Sequence, residues 1–173
     1  MSTVAASDRN RVLILGAVNG AVGGAVAGGV FLVLNMWFAT SMSEPAKMPL
    51  LMMSTLLQGN DAIKDGSAIV GVGLLVHAVL SIGFGVGFSV VASRLRTNGS
   101  LAVAGTLFGV ALYLVNFKIF APAIFKVFED ANQPFELVTH VVFGVVLSLA
   151  FFSSGSRRGE PVVAIRDREP VRR

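Results

Sequence analysis

The stretch LLVHAVLSIGFGVGFSVV, Leu74 to Val91, decides the fold. It lies inside a run from Ser67 to Ser93 that carries no Asp, Glu, Lys or Arg and a single histidine, His77. Val, Leu, Ile and Phe occupy every phase of a helix here, so no face is left for water. A surface helix of a soluble protein would keep one polar face. About 20 residues at 1.5 Å each cross a hydrocarbon layer of roughly 30 Å, and this run is long enough. The expected surroundings are lipid.

Three more runs have the same character, giving expected spans over 12–39, 67–93, 100–120 and 135–153. Residues 1–11 read as a cytoplasmic head, 12–154 as the membrane domain and 155–173 as a basic disordered tail. The fold class is all-α, a four-transmembrane-helix bundle. Composition agrees: 54% of the 173 residues are hydrophobic and 14% charged, where soluble domains carry about 25% charge. The first run is too long for a signal-peptide core and ends on Trp37 and Phe38, which suit an interfacial anchor, so it reads as a retained span.

Charge between the runs orients them. Arg9 and Arg11, Arg94 and Arg96, and the six arginines from Arg157 to Arg173 share one side. Lys47, Lys64, Lys118 and Lys126 on the other side are offset by Glu44, Asp61, Asp65, Glu129, Asp130 and Glu136. The positive-inside rule makes both termini cytoplasmic. The net charge of +4 does not point to nucleic acid, because no basic patch is interleaved with aromatics. The C-terminal arginines suit anionic lipid instead. With no cysteine in the chain, disulfides, thiolate metal sites and cysteine nucleophiles are excluded.

The second and fourth runs match when displaced by 63 residues, which carries His77 onto His140, Val79 onto Val142 and Arg94 onto Arg157. The first and third match at 81 residues, Gly24, Gly28 and Asn35 falling on Gly105, Gly109 and Asn116. The expectation is a tandem duplication of a two-helix hairpin, with the two copies running the same way through the membrane. Each histidine is 17 residues from its arginine, about 25 Å along a helix. Both therefore belong at one depth in the outer leaflet, with Asn35 and Asn116 nearby and Glu136 one turn outward of His140. His77, His140, Asn35, Asn116 and Glu136 form the candidate polar cluster; Gly24, Gly28, Gly105 and Gly109 are the candidate packing glycines.

After the first span, KMPLLMMSTLLQG places Met52, Met53, Leu56 and Leu57 at helical spacing behind Pro49. A short helix in the outer interface is expected. Five of the six methionines fall between Met36 and Met53; clustered thioethers can hold Cu(I), and packing by flexible side chains explains them more simply.

Two functional classes remain open. In one, the polar groups hydrogen-bond helices together in a non-catalytic packing, assembly or accessory subunit, as a homodimer or within a membrane complex. In the other, they serve a small-solute or proton transporter, or bind haem or a divalent metal through His77 and His140. No cofactor is required by any motif, since neither C-x-x-C-H nor H-E-x-x-H is present. An enzyme is not expected: no G-x-S-x-G, Walker loop or dinucleotide fingerprint follows a strand, and Ser81 one turn from His77 reads as a helical serine bonded to its own backbone.

The order of a glycine-rich first helix, a Met/Pro-rich outer segment, the His77 helix, GTLFGVALYLVNFKIFAPAIF (Gly105 to Phe125) and FELVTHVVFGVVLSLAFF (Phe135 to Phe152) resembles small four-helix bacterial inner-membrane proteins related to YagU. The likeness covers residues 16–152 and rests chiefly on Glu136-x-x-x-His140 and on the His77 helix, rich in small and aromatic residues. It departs at Asn116, where the related pattern has histidine, and at Phe143, where tyrosine is common. The resemblance implies the architecture and a bacterial inner (plasma) membrane, and no particular activity.

Overall fold

The computed structural model describes residues 3–152, with side chains at residue 10 and from residue 12 onward. Among them the elements are helical without exception: α1 (Thr3–Ser41), α2 (Met48–Gln58), α3 (Val70–Ala92), α4 (Asn98–Tyr113), a π-helical segment (Leu114–Phe120), α5 (Ala121–Ala123), a 3-10 turn (Lys126–Phe128) and α6 (Gln133–Leu149). The basic tail lies outside the described residues.

Val12–Ser41, Val70–Ala92 and the continuous rod Asn98–Ala123 are long and apolar enough to cross a membrane. The fourth expected span is shorter: α6 has 17 residues, about 26 Å of helix. Outward positions are as apolar as inward ones. Val18, Val22, Val26, Val33 and Trp37 on α1 and Leu75, Val79, Ile82, Val86 and Val90 on α3 are all exposed, which suits lipid and would be a large sticky patch in water. α1 begins at Thr3, so its first turns run through the residues expected as the head.

Helix ends follow local chemistry. α1 stops where Ser43 takes φ +63°, and the Glu44 N–H donates back to Ala39 O at 2.9 Å, the left-handed closure that satisfies orphan carbonyls. α2 has Pro49 in its first turn, where a missing N–H costs nothing. Gln58 ties off the following loop, donating to Ser67 O at 2.8 Å and accepting from Ile69 N at 3.0 Å. Thr97 and Ser100 cap α4 reciprocally, and Asn132 caps α6 by accepting from Phe135 N at 3.1 Å.

Helices pair through glycine. α1 packs on α3 and α4 on α6, and the two pairs meet chiefly through α1 and α6. A Cβ on Gly24 would strike Ser81 O and approach Gly85; one on Gly105 would strike Gly144 O and the Ser148 side chain. Gly28 faces the Ser81 side chain and Gly109 faces His140 O. All four candidate packing glycines thus touch a neighbouring helix of the same chain. Towards the α3–α4 turn, Ala27, Phe88, Ala92, Leu101, Phe143, Leu147 and Phe151 fill the interior. Towards the α2 end the interior is not filled.

Candidate functional site

The unfilled end is a cavity of about 520 Å³ whose wall includes Asn35, His77, Asn116, Glu136 and His140. The structure therefore brings the five polar candidates to one space, from α1, α3, the π-helical segment and α6. Their individual roles differ. His77 is buried, and its Nε2 lies 2.9 Å from Gly28 O. A carbonyl only accepts, so Nε2 carries the proton and fastens α3 to α1. Ser81 Oγ is 3.5 Å from that same nitrogen. It faces His77 where a bond to its own backbone was expected, yet Nε2 has no lone pair to take its proton. A serine nucleophile with His77 as base does not fit this geometry.

His140 adopts the opposite tautomer. Its Nδ1 donates to Glu136 O at 2.7 Å, leaving Nε2 to accept from Asn116 Nδ2 at 3.3 Å. That bond joins α6 to the rod of α4, and it depends on a local irregularity. Asn116 sits in the π-helical segment, where the wider turn displaces side chains from α-helical register; such segments are rare and concentrate at functional sites. Asn35 lies in regular helix and donates to Phe31 O at 3.1 Å. Both asparagines thus stand on the cavity wall with different partners.

Phe31 is the residue that sequence reasoning missed. Its ring stacks on His77 at 5.9 Å and meets His140 edge-on at 4.9 Å and Phe143 at 6.4 Å. One turn before Asn35, it shares that residue's face, which was the available signal. Axial haem ligation would need both imidazole lone pairs turned to one iron. Here the His140 lone pair is turned to Asn116, His77 Nε2 is bonded to Gly28, and Phe31 packs on both rings. The two histidines do not fit that ligand pair, and among the described residues no group of three or more His, Asp or Glu is placed to hold a metal ion.

The remaining wall is apolar and soft. α2 turns Met48, Met52, Met53 and Leu56 to the cavity, while Leu57 points away and is 70% exposed; the expected interfacial face is split between the cavity and the surroundings. Phe117, Phe125 and Phe128 also line it, and Phe38 stacks on Phe135 at 3.9 Å. Exposed Met42, Glu44 and Asn132 mark where the cavity reaches the surface.

Gly73 falls 63 residues before Glu136. A Cβ on Gly73 would strike the backbone carbonyl of Leu50, so α2 closes that place to any side chain. Glu136 also stands in the first turn of α6, where the helix dipole favours negative charge.

No family model, curated protein or solved structure matches the chain.

Proposed function

We propose that this chain is a four-span membrane protein that takes a small, largely apolar molecule into the cavity at its α2 end, as a binding or carrying protein and not as an enzyme. One observation carries the reading: five polar groups from four separate segments stand on the wall of one cavity whose lining is otherwise mostly Phe, Leu and Met, with Ser81 inside and Glu44 and Asn132 at its mouth. Small-molecule sites have that composition, apolar walls with a few convergent polar groups, and about 300–1,000 Å³ of space.

In this proposal α6 is the fourth crossing, short but within the range that a locally thinned bilayer accepts. The duplicated hairpin is supported by matched contacts. The pairs Gly24–Ser81 and Gly105–Gly144, and Gly24–Gly85 and Gly105–Ser148, fall on the same repeat positions. The likeness to YagU-related proteins, the inner membrane and the cytoplasmic termini belong to the same reading.

An accessory or assembly role is the second reading, favoured by the His77–Gly28 and Asn116–His140 bonds that join helices. Such contacts contribute about 0.6 kcal/mol each. Cavity filling separates the two. Leu56→Trp and Ala131→Trp are expected to weaken binding of the neutral dye N-phenyl-1-naphthylamine to purified protein by about tenfold, or 1.4 kcal/mol, with helicity unchanged. Dye binding untouched by either indole would leave the accessory role.

A further inference from the structure

We infer that the cavity selects a lipophilic cation, an aromatic or alkyl ammonium or phosphonium of drug-like size, with Glu136 as its counter-charge. The inference rests on the cavity being a binding site and adds the class of ligand. Glu136 has a side chain only 12% exposed, and its nearest basic atom is His140 Nδ1 at 3.9 Å. That N–H already donates to the Glu136 backbone carbonyl, and among the described residues no other N–H or O–H reaches the carboxyl oxygens. A carboxylate removed from water without a donor or counter-ion is costly, and at membrane depth it calls for a partner.

The described residues supply none. Among them no Lys or Arg lines the cavity: the nearby Lys118 donates to Gln133 Oε1 at 2.9 Å and Lys126 pairs with Glu129 at 3.6 Å, both exposed. Glu44 at the rim adds a second negative charge beside the mouth. The rest of the wall completes the recognition. Phe31, Phe117 and Phe128 line the same cavity as Glu136, and ring faces attract cations, more so when desolvated. Met48, Met52 and Met53 form a polarizable, flexible wall that repacks around differently shaped bodies. An anion would meet two carboxylates and no cation. A neutral apolar molecule would fit the walls and leave Glu136 uncompensated.

Two probes of one shape and opposite charge test this. Full-length protein in dodecyl maltoside is titrated calorimetrically with tetraphenylphosphonium and with tetraphenylborate, subtracting empty micelles. The wild type is expected to bind the phosphonium at least about tenfold more tightly, and Glu136→Gln to lose that preference with its helicity unchanged. Tetraphenylborate binding as tightly as the phosphonium, or Glu136→Gln keeping the preference, overturns the cation assignment and leaves the cavity as a site for neutral molecules. Failure of both ions and of the neutral dye overturns the binding reading itself. If Glu136→Gln does not fold, the wild-type comparison of the two ions still decides.

Discussion

Gly144→Val is expected to abolish the folded bundle. A Cβ there would fall on the Gly105 carbonyl and crowd the Gly109 N, so the clash is between backbones and no rotamer relieves it. Overpacking usually costs about 1–3 kcal/mol and more where backbone must move, against a total stability of roughly 5–15 kcal/mol for a domain. The same holds for Gly85→Val, which would meet Gly20 and Gly24. Gly87→Ala is the control, because nothing lies within 4 Å of its added carbon; it should be neutral or stabilise by up to about 1 kcal/mol. Fluorescence-detected size exclusion of detergent-solubilised protein measures both. A sharp monodisperse peak is expected for Gly87→Ala and loss of that peak for Gly144→Val.

Gly73→Glu should expel α2. The substitution copies into the first hairpin the carboxylate of the second, but Leu50 backbone already fills that place. Moving α2 away uncovers the Met48, Met52 and Met53 wall and opens the cavity sideways. Hydrogen exchange of the α2 amides is the readout, since local opening is reported there residue by residue. Protection across residues 51–57 is expected to fall at least about tenfold, an opening made easier by about 1.4 kcal/mol. Glu136→Ala, which adds nothing to this contact, should leave α2 protected. Unchanged exchange in Gly73→Glu would mean that α2 does not bear on Gly73.

The long apolar helices were legible because hydropathy is a property of the chain alone. His77 and His140 announced their shared environment by spacing, and Gly24, Gly28, Gly105 and Gly109 announced the close approaches. The rest depended on geometry that no spacing encodes. The π-helical segment changes register inside an otherwise regular apolar run, so Asn116 reaches His140 while Asn35 bonds its own helix. Hydropathy marked α2 as amphipathic but did not say that its Met face turns inward onto a cavity. Phe31 was hidden among many apolar residues, since only the packed bundle distinguishes a ring against two imidazoles from a ring against lipid. The shortness of α6 follows from its end at Leu149, since Asn132 caps it and it starts at Gln133, before the expected 135.

In the proposed topology the cavity lies on the side of the membrane opposite both termini, and the absence of cysteine makes that directly measurable. Single cysteines are introduced as Asp130→Cys beside the cavity mouth and Arg96→Cys in the α3–α4 turn, and a third is appended after Arg173. Each full-length protein is then labelled in intact cells with a membrane-impermeant maleimide. Four crossings require labelling at position 130 alone, with position 96 and the appended cysteine reacting only after permeabilisation. An appended cysteine that labels in intact cells would mean three crossings, with α6 not spanning, and would contradict the four-span bundle.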